Sequence, residues 1–203
     1  MYETTRPVLK DRPGCFKLQY VMAKILTTKF FNRPTITVAK ELVGKYLVCR
    51  RGEELIALKI SETEAYDGFE DKASHASRGK TPRNSVMFGP AGYWYVYFTY
   101  GMHYMLNIVT GKREYPAAVL IRGGGQYNGL ARLTKALGID KRFNTKRAIP
   151  KTGLWIEDRG EKTSSVTKSA RIGVEYAGPI WSKKKYRFIL NDESRSPRKG
   201  SGS

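Results

Sequence analysis

The stretch Leu55 to Tyr66 constrains this chain more than any other, because it reads as one long strand in which side chains repeat every two residues. On that period Ile56, Leu58 and Ile60 share a face with Glu62, Glu64 and Tyr66, so two carboxylates continue an apolar face. A carboxyl buried in this way is pushed above its ordinary range, toward the value that a general acid or base needs near neutral pH. Glutamates at a strand end also commonly reach solvent as the strand leaves its sheet, and the pattern alone admits both readings.

The chain has 203 residues, 40% of them hydrophobic and 12% aromatic, which is enough for one domain with a sizeable core. Lys and Arg number 37 against 18 Asp and Glu, a formal net charge of +19 that points to a polyanionic partner. The basic residues are spread widely, with Lys141, Arg142, Lys146, Arg147 and Lys151 in one region and Lys183, Lys184, Lys185 and Arg187 in another. That distribution suits phosphate tracking along a nucleic acid, and also a solvated face on a ribosomal or membrane-surface protein. Cys15 and Cys49 are far apart with no C-x-x-C, and only His75 and His103 accompany them. No metal and no other cofactor is expected from such a set. The most apolar stretch, Tyr93 to Val109, is too short and too interrupted to span a membrane. No signal peptide is read in the first residues.

Residues 1–29 read as a basic, loosely ordered lead-in, 30–190 as the catalytic domain, and 191–203 as a disordered tail rich in Arg, Lys, Gly and Ser. Within the domain, Thr37 is expected to cap a short helix through Val43, Tyr46 to Arg51 to form a strand, and Asp67 to Pro90 to form a long polar loop. Loops of that length in a compact domain are usually functional. Tyr93 to Thr99 and His103 to Val109 predict a hairpin with Tyr100, Gly101 and Met102 at its tip. Ala117 to Arg122 adds a strand, Gly123 to Gly129 reads as a flexible turn, and Asn128 is expected to cap a helix through Leu137. Gly153 to Ile156, Ser169 to Val174 and Tyr186 to Leu190 read as later strands. The expected class is α+β: a single domain with a curved or partly closed, mainly antiparallel sheet, short flanking helices and a protruding β-hairpin.

A basic surface, a buried carboxylate and many aromatic residues together point to chemistry on a nucleobase, since each stacked base gains roughly 1–3 kcal/mol. Tyr66, His75, Tyr97 and Tyr100 are candidates for that stacking. An enzyme acting on a base within a duplex must swing it out, and a tyrosine at a hairpin tip has the shape of a wedge that fills the gap. A tyrosine-rich hairpin is also ordinary half-buried sheet surface, and a lone histidine is often structural. Two other classes compete: a catalytically silent nucleic-acid-binding module, and a nuclease, which normally needs a metal site.

The words of the sequence narrow these classes. E-T-E-A-Y at Glu62 to Tyr66, His75, T-P-R-N at Thr81 to Asn84, Met87-Phe88, Y-V-Y-F-T-Y-G-M at Tyr95 to Met102 and Asn107 resemble the alkyladenine (3-methyladenine, methylpurine) DNA glycosylase family. L-T-K-A-L-G-I at Leu133 to Ile139 and A-R-I-G-V-E-Y-A-G at Ala170 to Gly178 extend the resemblance, which runs from about Phe31 to Leu190. It implies a monofunctional glycosylase of base excision repair acting on alkylated or deaminated purines in double-stranded DNA. It further implies a monomer associated with DNA inside the cell. On the same basis Glu64 would activate the attacking water, with Arg122 and the carbonyl of Ile172 helping to hold it. Tyr66, His75 and Tyr97 would line the base pocket, Asn107 would crowd the exocyclic amine of normal guanine, Tyr100 would be the wedge, and Arg83 and Met102 would contact DNA. One segment departs from the family pattern: after Arg122 the chain runs Gly123-Gly124-Gly125-Gln126, where the family has a longer, acidic and proline-containing segment.

Overall fold

The computed structural model describes residues 4–7, 20–99, 101–163 and 165–191, of which 4–7 and 20–22 are described by their backbone alone. Along these run β1 (Thr4–Pro7), β2 (Tyr20–Ile25), α1 (Thr28–Phe31), α2 (Thr35–Leu42), β3 (Tyr46–Arg51), β4 (Glu54–Asp67), β5 (Trp94–Thr99) and β6 (His103–Val109). They continue with β7 (Ala117–Gly124), β8 (Tyr127–Asn128), α3 (Leu130–Leu137), β9 (Leu154–Asp158), β10 (Val166–Ser169), α4 (Gly178–Trp181) and β11 (Arg187–Leu190). The strands form one antiparallel sheet in the order β1-β2-β9-β3-β4-β7-β6-β5, with β8 beside β7 and a branch through β11 to β10. The fold is therefore α+β with a curved sheet. The hairpin of β5 and β6 pairs from Trp94 opposite Ile108 to Thr99 opposite His103.

β4 is 14 residues long and joins the two halves of the sheet. Its first half pairs with β3, and its second half lies between β7 and β11. The junction carries two adjacent register shifts: Ile60 faces Gly124, Glu62 faces Gly123 and Thr63 faces Ile121. Ser61 is thus an extra residue on β4 and Arg122 an extra residue on β7. Each insertion moves the following side chains to the other face of the sheet. Leu58 and Ile60 point into the main core, and after Ser61 the core face continues with Thr63 and Ala65. The hydroxyl of Thr63 donates to the Ala39 carbonyl of α2 at 2.8 Å. The carboxylates of Glu62 and Glu64 consequently lie on the face opposite Ile60. This corrects the expectation that they continue its apolar face.

The main core fills the concave side of the sheet. Val38, Ala39 and Leu42 of α2 and Leu133 and Leu137 of α3 pack there against Trp94, Leu106, Ile108, Val119 and Ile121. The sheet's two ends are drawn together by residues 144–149. The Trp94 amide donates to the Lys146 carbonyl at 2.8 Å, and Ile149 bridges to Leu154 at the start of β9. Trp94 Nε1 reaches across to the Leu154 carbonyl at 3.0 Å, so β5 and β9, far apart in sheet order, are tied side chain to backbone. On the other face a smaller cluster of Ala76, Met87, Phe88, Tyr95, Val109 and Ala118 forms the bed of a pocket.

Several boundaries differ from the sequence expectation. α2 starts at Thr35, because Pro34 presets an entry φ of −50° and its carbonyl accepts from the Val38 amide at 3.0 Å. α3 is preceded by Gly129 at φ 94°, not capped by Asn128, which is paired with Gly123 in β8. The glycine run is not a flexible turn: β7 extends through Gly124 and turns only at Gly125 and Gln126. A Cβ on Gly123 would lie 2.8 Å from Ser61 Oγ, so the double insertion uses glycine at a close approach. The later strand is Val166–Ser169, and the chain leaves the sheet before Arg171 to enter the pocket. β1 and β2 both fall within residues 1–29, and Lys24 and Ile25 pair with β9.

The Ser61 hydroxyl is buried without a hydrogen-bond partner among the described residues. Ser61→Ala is therefore expected to raise unfolding free energy by up to about 1 kcal/mol, since an unsatisfied buried hydroxyl costs roughly that much or more. Deleting Ser61 should instead turn Glu62 and Glu64 onto the core face and abolish the cooperative denaturation transition. A folded deletion protein with native stability would contradict the assigned register.

Candidate active site

Glu64, near the end of β4, has no exposed surface. Its Oε2 accepts from the Tyr66 hydroxyl at 2.9 Å, and its Oε1 accepts from the Ile172 amide at 3.0 Å. Arg122 Nε stands 3.7 Å from Oε1. These three neighbours favour the carboxylate, yet burial outweighs them and the carboxyl is pushed above its ordinary value. The direction is physically sensible: the several kcal/mol lost on removing a carboxylate from water exceed two hydrogen bonds and one arginine not in direct contact. The carboxyl hydrogen bond raises Tyr66 in turn, on top of the larger effect of burial, so its phenol stays neutral.

Arg122 spends its closest contact on Glu62, with Nε 2.8 Å from Oε1, and Arg187 Nε lies 2.9 Å from the same oxygen. Both arginines and Glu62 are largely buried. The Ile172 contact with Glu64 is made by its amide, whereas the expected role used its carbonyl. Ile172 is brought there by the loop after β10, where Gly173 adopts φ 72°.

Alternation along the hairpin and β7 supplies the rest of one wall. Trp94 and Val96 enter the core, so Tyr95 and Tyr97 face outward, as do Met105, Asn107, Ala118, Leu120 and Arg122. These residues, with Glu64, Tyr66, His75 and Ile172 to Val174, enclose a cavity of about 270 Å³. Tyr95 and Tyr97 rings are 4.9 Å apart at 37°, and the His75 ring sits 4.8 Å from Tyr97 at 62°. His75 Nδ1 is 3.1 Å from the Tyr95 hydroxyl, which fixes the ring's rotation. Burial, and then the nearby Arg83 charge, lower the His75 pKa, so the ring is neutral at pH 7. Burial pushes the Tyr95 phenol up to about 12 and also raises Tyr97. Asn107 is buried, with Nδ2 donating to the Tyr95 carbonyl at 3.1 Å.

Of the remaining expected residues, Arg83 covers the outer wall, its guanidinium 5.0 Å from the Tyr97 ring centre and donating to the Phe98 carbonyl at 3.3 Å. Met102 is strongly exposed at the hairpin tip, where its amide donates to the Thr99 carbonyl at 3.1 Å. Tyr100 lies outside the described residues.

Two supports escaped the sequence reading. Asp71 and Arg171 form a doubly hydrogen-bonded ion pair with neither side chain exposed. The guanidinium also donates to the Ala65 and Trp181 carbonyls and lies 4.8 Å from the Tyr66 ring centre. Asp71 additionally accepts from the Asp67 and Ala73 amides. The pair thus clamps the loop bearing His75 to the loop bearing Ile172. The second support is Asn84, whose amide donates to the His75 and Gly79 carbonyls at 2.9 Å while its oxygen accepts from the Thr81 amide at 2.7 Å. The T-P-R-N word was the signal for it. Nothing in the sequence pairs Asp71 with a residue 100 positions away.

A wider groove of about 890 Å³ lies beside α1 and α2, but its Lys45 and Arg33 are occupied by Asp158 and Glu41 and no aromatic wall faces a carboxylate there. Among the described residues no group of three or more His, Cys, Asp or Glu side chains is placed to hold a metal ion, and no helix is long and apolar enough to cross a membrane.

Because Glu64 is raised in the folded protein, the native state holds its proton more tightly than the unfolded chain. Stability is then lost as pH climbs from the ordinary carboxyl range through the raised value, and the loss is complete above it. In Glu64→Gln the amide oxygen can accept from Ile172 and the amide nitrogen can donate to Tyr66. That variant should melt roughly 2–4 °C above wild type at pH 8, the equivalent of about 1 kcal/mol in a chain of this size. The gain should shrink as pH falls and vanish only below the ordinary carboxyl range, where Glu64 is protonated in the folded and the unfolded chain alike; calorimetric melting across pH checks this.

Comparison with known proteins places this geometry in a family. The model of the methylpurine-DNA glycosylase (MPG) family matches residues 29–126 and 124–194. A relative from Anaeromyxobacter sp. is 40% identical over 182 residues, covering 85% of this chain and 93% of its own. One from Methanocella arvoryzae is 41% identical over 174 residues, covering 76% and 86%, and one from Legionella pneumophila is 41% identical over 174 residues, covering 82% and 94%. All three are named as candidate 3-methyladenine DNA glycosylases. The chain belongs to the methylpurine-DNA glycosylase family and is a DNA glycosylase.

Proposed function

We propose that this glycosylase swings an alkylated or deaminated purine out of duplex DNA, holds it between the aromatic walls of the 270 Å³ cavity, and hydrolyses the N-glycosidic bond with a water activated by Glu64. The observation that carries the reading is a completely buried carboxylate, raised above its ordinary value, at the base of a tyrosine- and histidine-lined pocket on a chain of net charge +19. Glu64 takes a proton from the attacking water, and its carboxylate also faces the oxocarbenium character that develops on the sugar. Arg122 and the Ile172 backbone orient that water.

Tyr66 and the His75–Tyr97 wall stack on the two faces of the extruded base. Since Tyr66 and Tyr97 are neutral phenols and His75 is uncharged, the stacking rings themselves carry no charge, while the guanidiniums of Arg171 and Arg83 lie against Tyr66 and Tyr97. A purine made cationic by N3 or N7 alkylation is favoured by such faces, and its leaving group needs no protonation. Neutral lesions such as hypoxanthine and ethenoadenine additionally need a proton on the departing base. Asn107 at the pocket floor discriminates against the exocyclic amine of guanine. Tyr100 fills the vacated place in the stack, and Arg83 and Met102 contact the DNA beside it. Among the described residues no lysine lines the cavity, which supports a reaction that stops at an abasic site without a Schiff base. Residues 30–190 form the catalytic unit, acting as a monomer without a cofactor.

Single-turnover base release from duplexes carrying hypoxanthine, ethenoadenine or 7-methylguanine tests the reading. Wild type should release at least one, and Glu64→Gln should lower its rate about 10²–10⁴-fold. Equal release by both proteins would remove Glu64 from the mechanism. Tight duplex binding with no release by either would favour a binding role.

A further inference from the structure

We propose that Glu62 is a positioning residue that holds Arg122 away from Glu64 and so keeps the Glu64 carboxylate free to act on water. The inference rests on the reading of Glu64 as the base, and it assigns a task to the second carboxylate of the E-T-E-A-Y segment.

Its ground is the division of charge around the paired insertions in β4 and β7. Arg122 Nε is 2.8 Å from Glu62 Oε1 but 3.7 Å from Glu64 Oε1, a full contact with one and a near miss with the other. Arg187, which stands directly opposite Glu64 on β11, also turns to Glu62, with Nε 2.9 Å from the same oxygen. Arg187 Nε makes no aligned hydrogen bond, so Glu62 holds it by charge more than by direction. Two guanidiniums that flank Glu64 are thus both drawn to its neighbour. The groups facing Glu64 are Tyr66 and Glu62 from β4, Arg122 from β7, Arg187 from β11, the Tyr97 phenol from β5, and Arg171 beyond Tyr66. Among these only Glu62 offers the arginines a competing carboxylate.

The double insertion is what makes the competition possible. Arg122 is the extra residue of β7, and Glu62 follows the extra residue of β4, so the two sit abreast at the shift. Without Glu62, both arginines would close on a carboxylate that already accepts two hydrogen bonds. Its remaining lone pairs would then be occupied and its basicity lowered, since an opposite charge in contact depresses a carboxyl. Loss of the Glu62 charge acts in the same direction, because that charge also raises Glu64.

The test is the pH dependence of single-turnover release for wild type, Glu62→Gln, Glu62→Asp and Glu64→Gln, on whichever of the hypoxanthine, ethenoadenine and 7-methylguanine duplexes wild type cleaves fastest. For Glu62→Gln the plateau rate should fall roughly tenfold or more, as expected for a weakened base, and the acidic limb should move to lower pH. Glu62→Asp keeps the charge and should leave the limb near its wild-type position. An unmoved limb in Glu62→Gln, whether or not the rate falls, overturns the proposal, while loss of release in Glu64→Gln leaves the reading of the base intact. Retained release in Glu64→Gln, or none by wild type, overturns both.

Discussion

Side chains on a regular strand alternate between its two faces, and β4 has to serve the hydrophobic core along one half and the aromatic pocket along the other. A regular strand would put Glu62 and Glu64 on the face of Ile60, under α2, where no water or base could reach them. One inserted residue at Ser61 turns the phase, and a matching insertion at Arg122 lets β7 turn with it, so Ile60 with Gly124 and Thr63 with Ile121 keep the same offset on either side. The pocket, the carboxylates and the arginine beside them all depend on that local change of phase. Gly123 belongs to the same device, because a Cβ there would lie 2.8 Å from Ser61 Oγ and would force that hydroxyl to move. The short segment that departs from the family pattern therefore continues the sheet, with Gly123 and Gly124 paired to β8.

The pocket's roof is held by charge. Asp71 and Arg171 are wholly buried, and a buried ion pair is weak evidence of net stabilisation because desolvation offsets most of its attraction. Its geometric effect is clearer: the guanidinium is fixed by carbonyls of β4 and α4, and the carboxylate by amides of the loop that leads to His75. Two loops joined by no regular structure are thereby set at a fixed height above Glu64. Ile172 then delivers its amide to Oε1, and the Tyr66 ring lies over the guanidinium. The hydrogen bonds from Ile172 and Tyr66 both favour the charged carboxyl and so offset part of the upward push of burial on Glu64.

Much of this was legible in the sequence. The β5–β6 hairpin and the antiparallel α+β class follow from alternation and turn chemistry, whereas Glu64, Tyr66 and Tyr97 were singled out by the family words, and Tyr95 was not singled out at all. The face on which Glu64 and Tyr66 lie was not legible, because an inserted residue leaves no mark in composition or period. The Ala170 to Gly178 words pointed to the site, yet alternation read Ser169 to Val174 as strand. That segment bends away because Arg171 is pulled to Asp71, a contact across 100 residues that local patterns cannot carry. The helix starts at Thr35 and Leu130 differ for a simpler reason: Pro34 and Gly129 fix backbone angles more strongly than a distant Thr or Asn side chain can cap.

The phase change in β4 turns the buried Glu64 carboxyl toward an aromatic-lined cavity, and the proposed function depends on that placement. The measurement that tests this most directly is the fluorescence of ethenoadenine in a duplex bound by the Glu64→Gln protein, which should bind without cutting. If the base is drawn from the helix, the signal should rise on unstacking and then fall as the base stacks between Tyr66 and the His75–Tyr97 wall, and Tyr97→Leu should remove the second phase. Tight binding with the fluorescence of the free duplex throughout would mean that the base never leaves the helix, and would contradict the account.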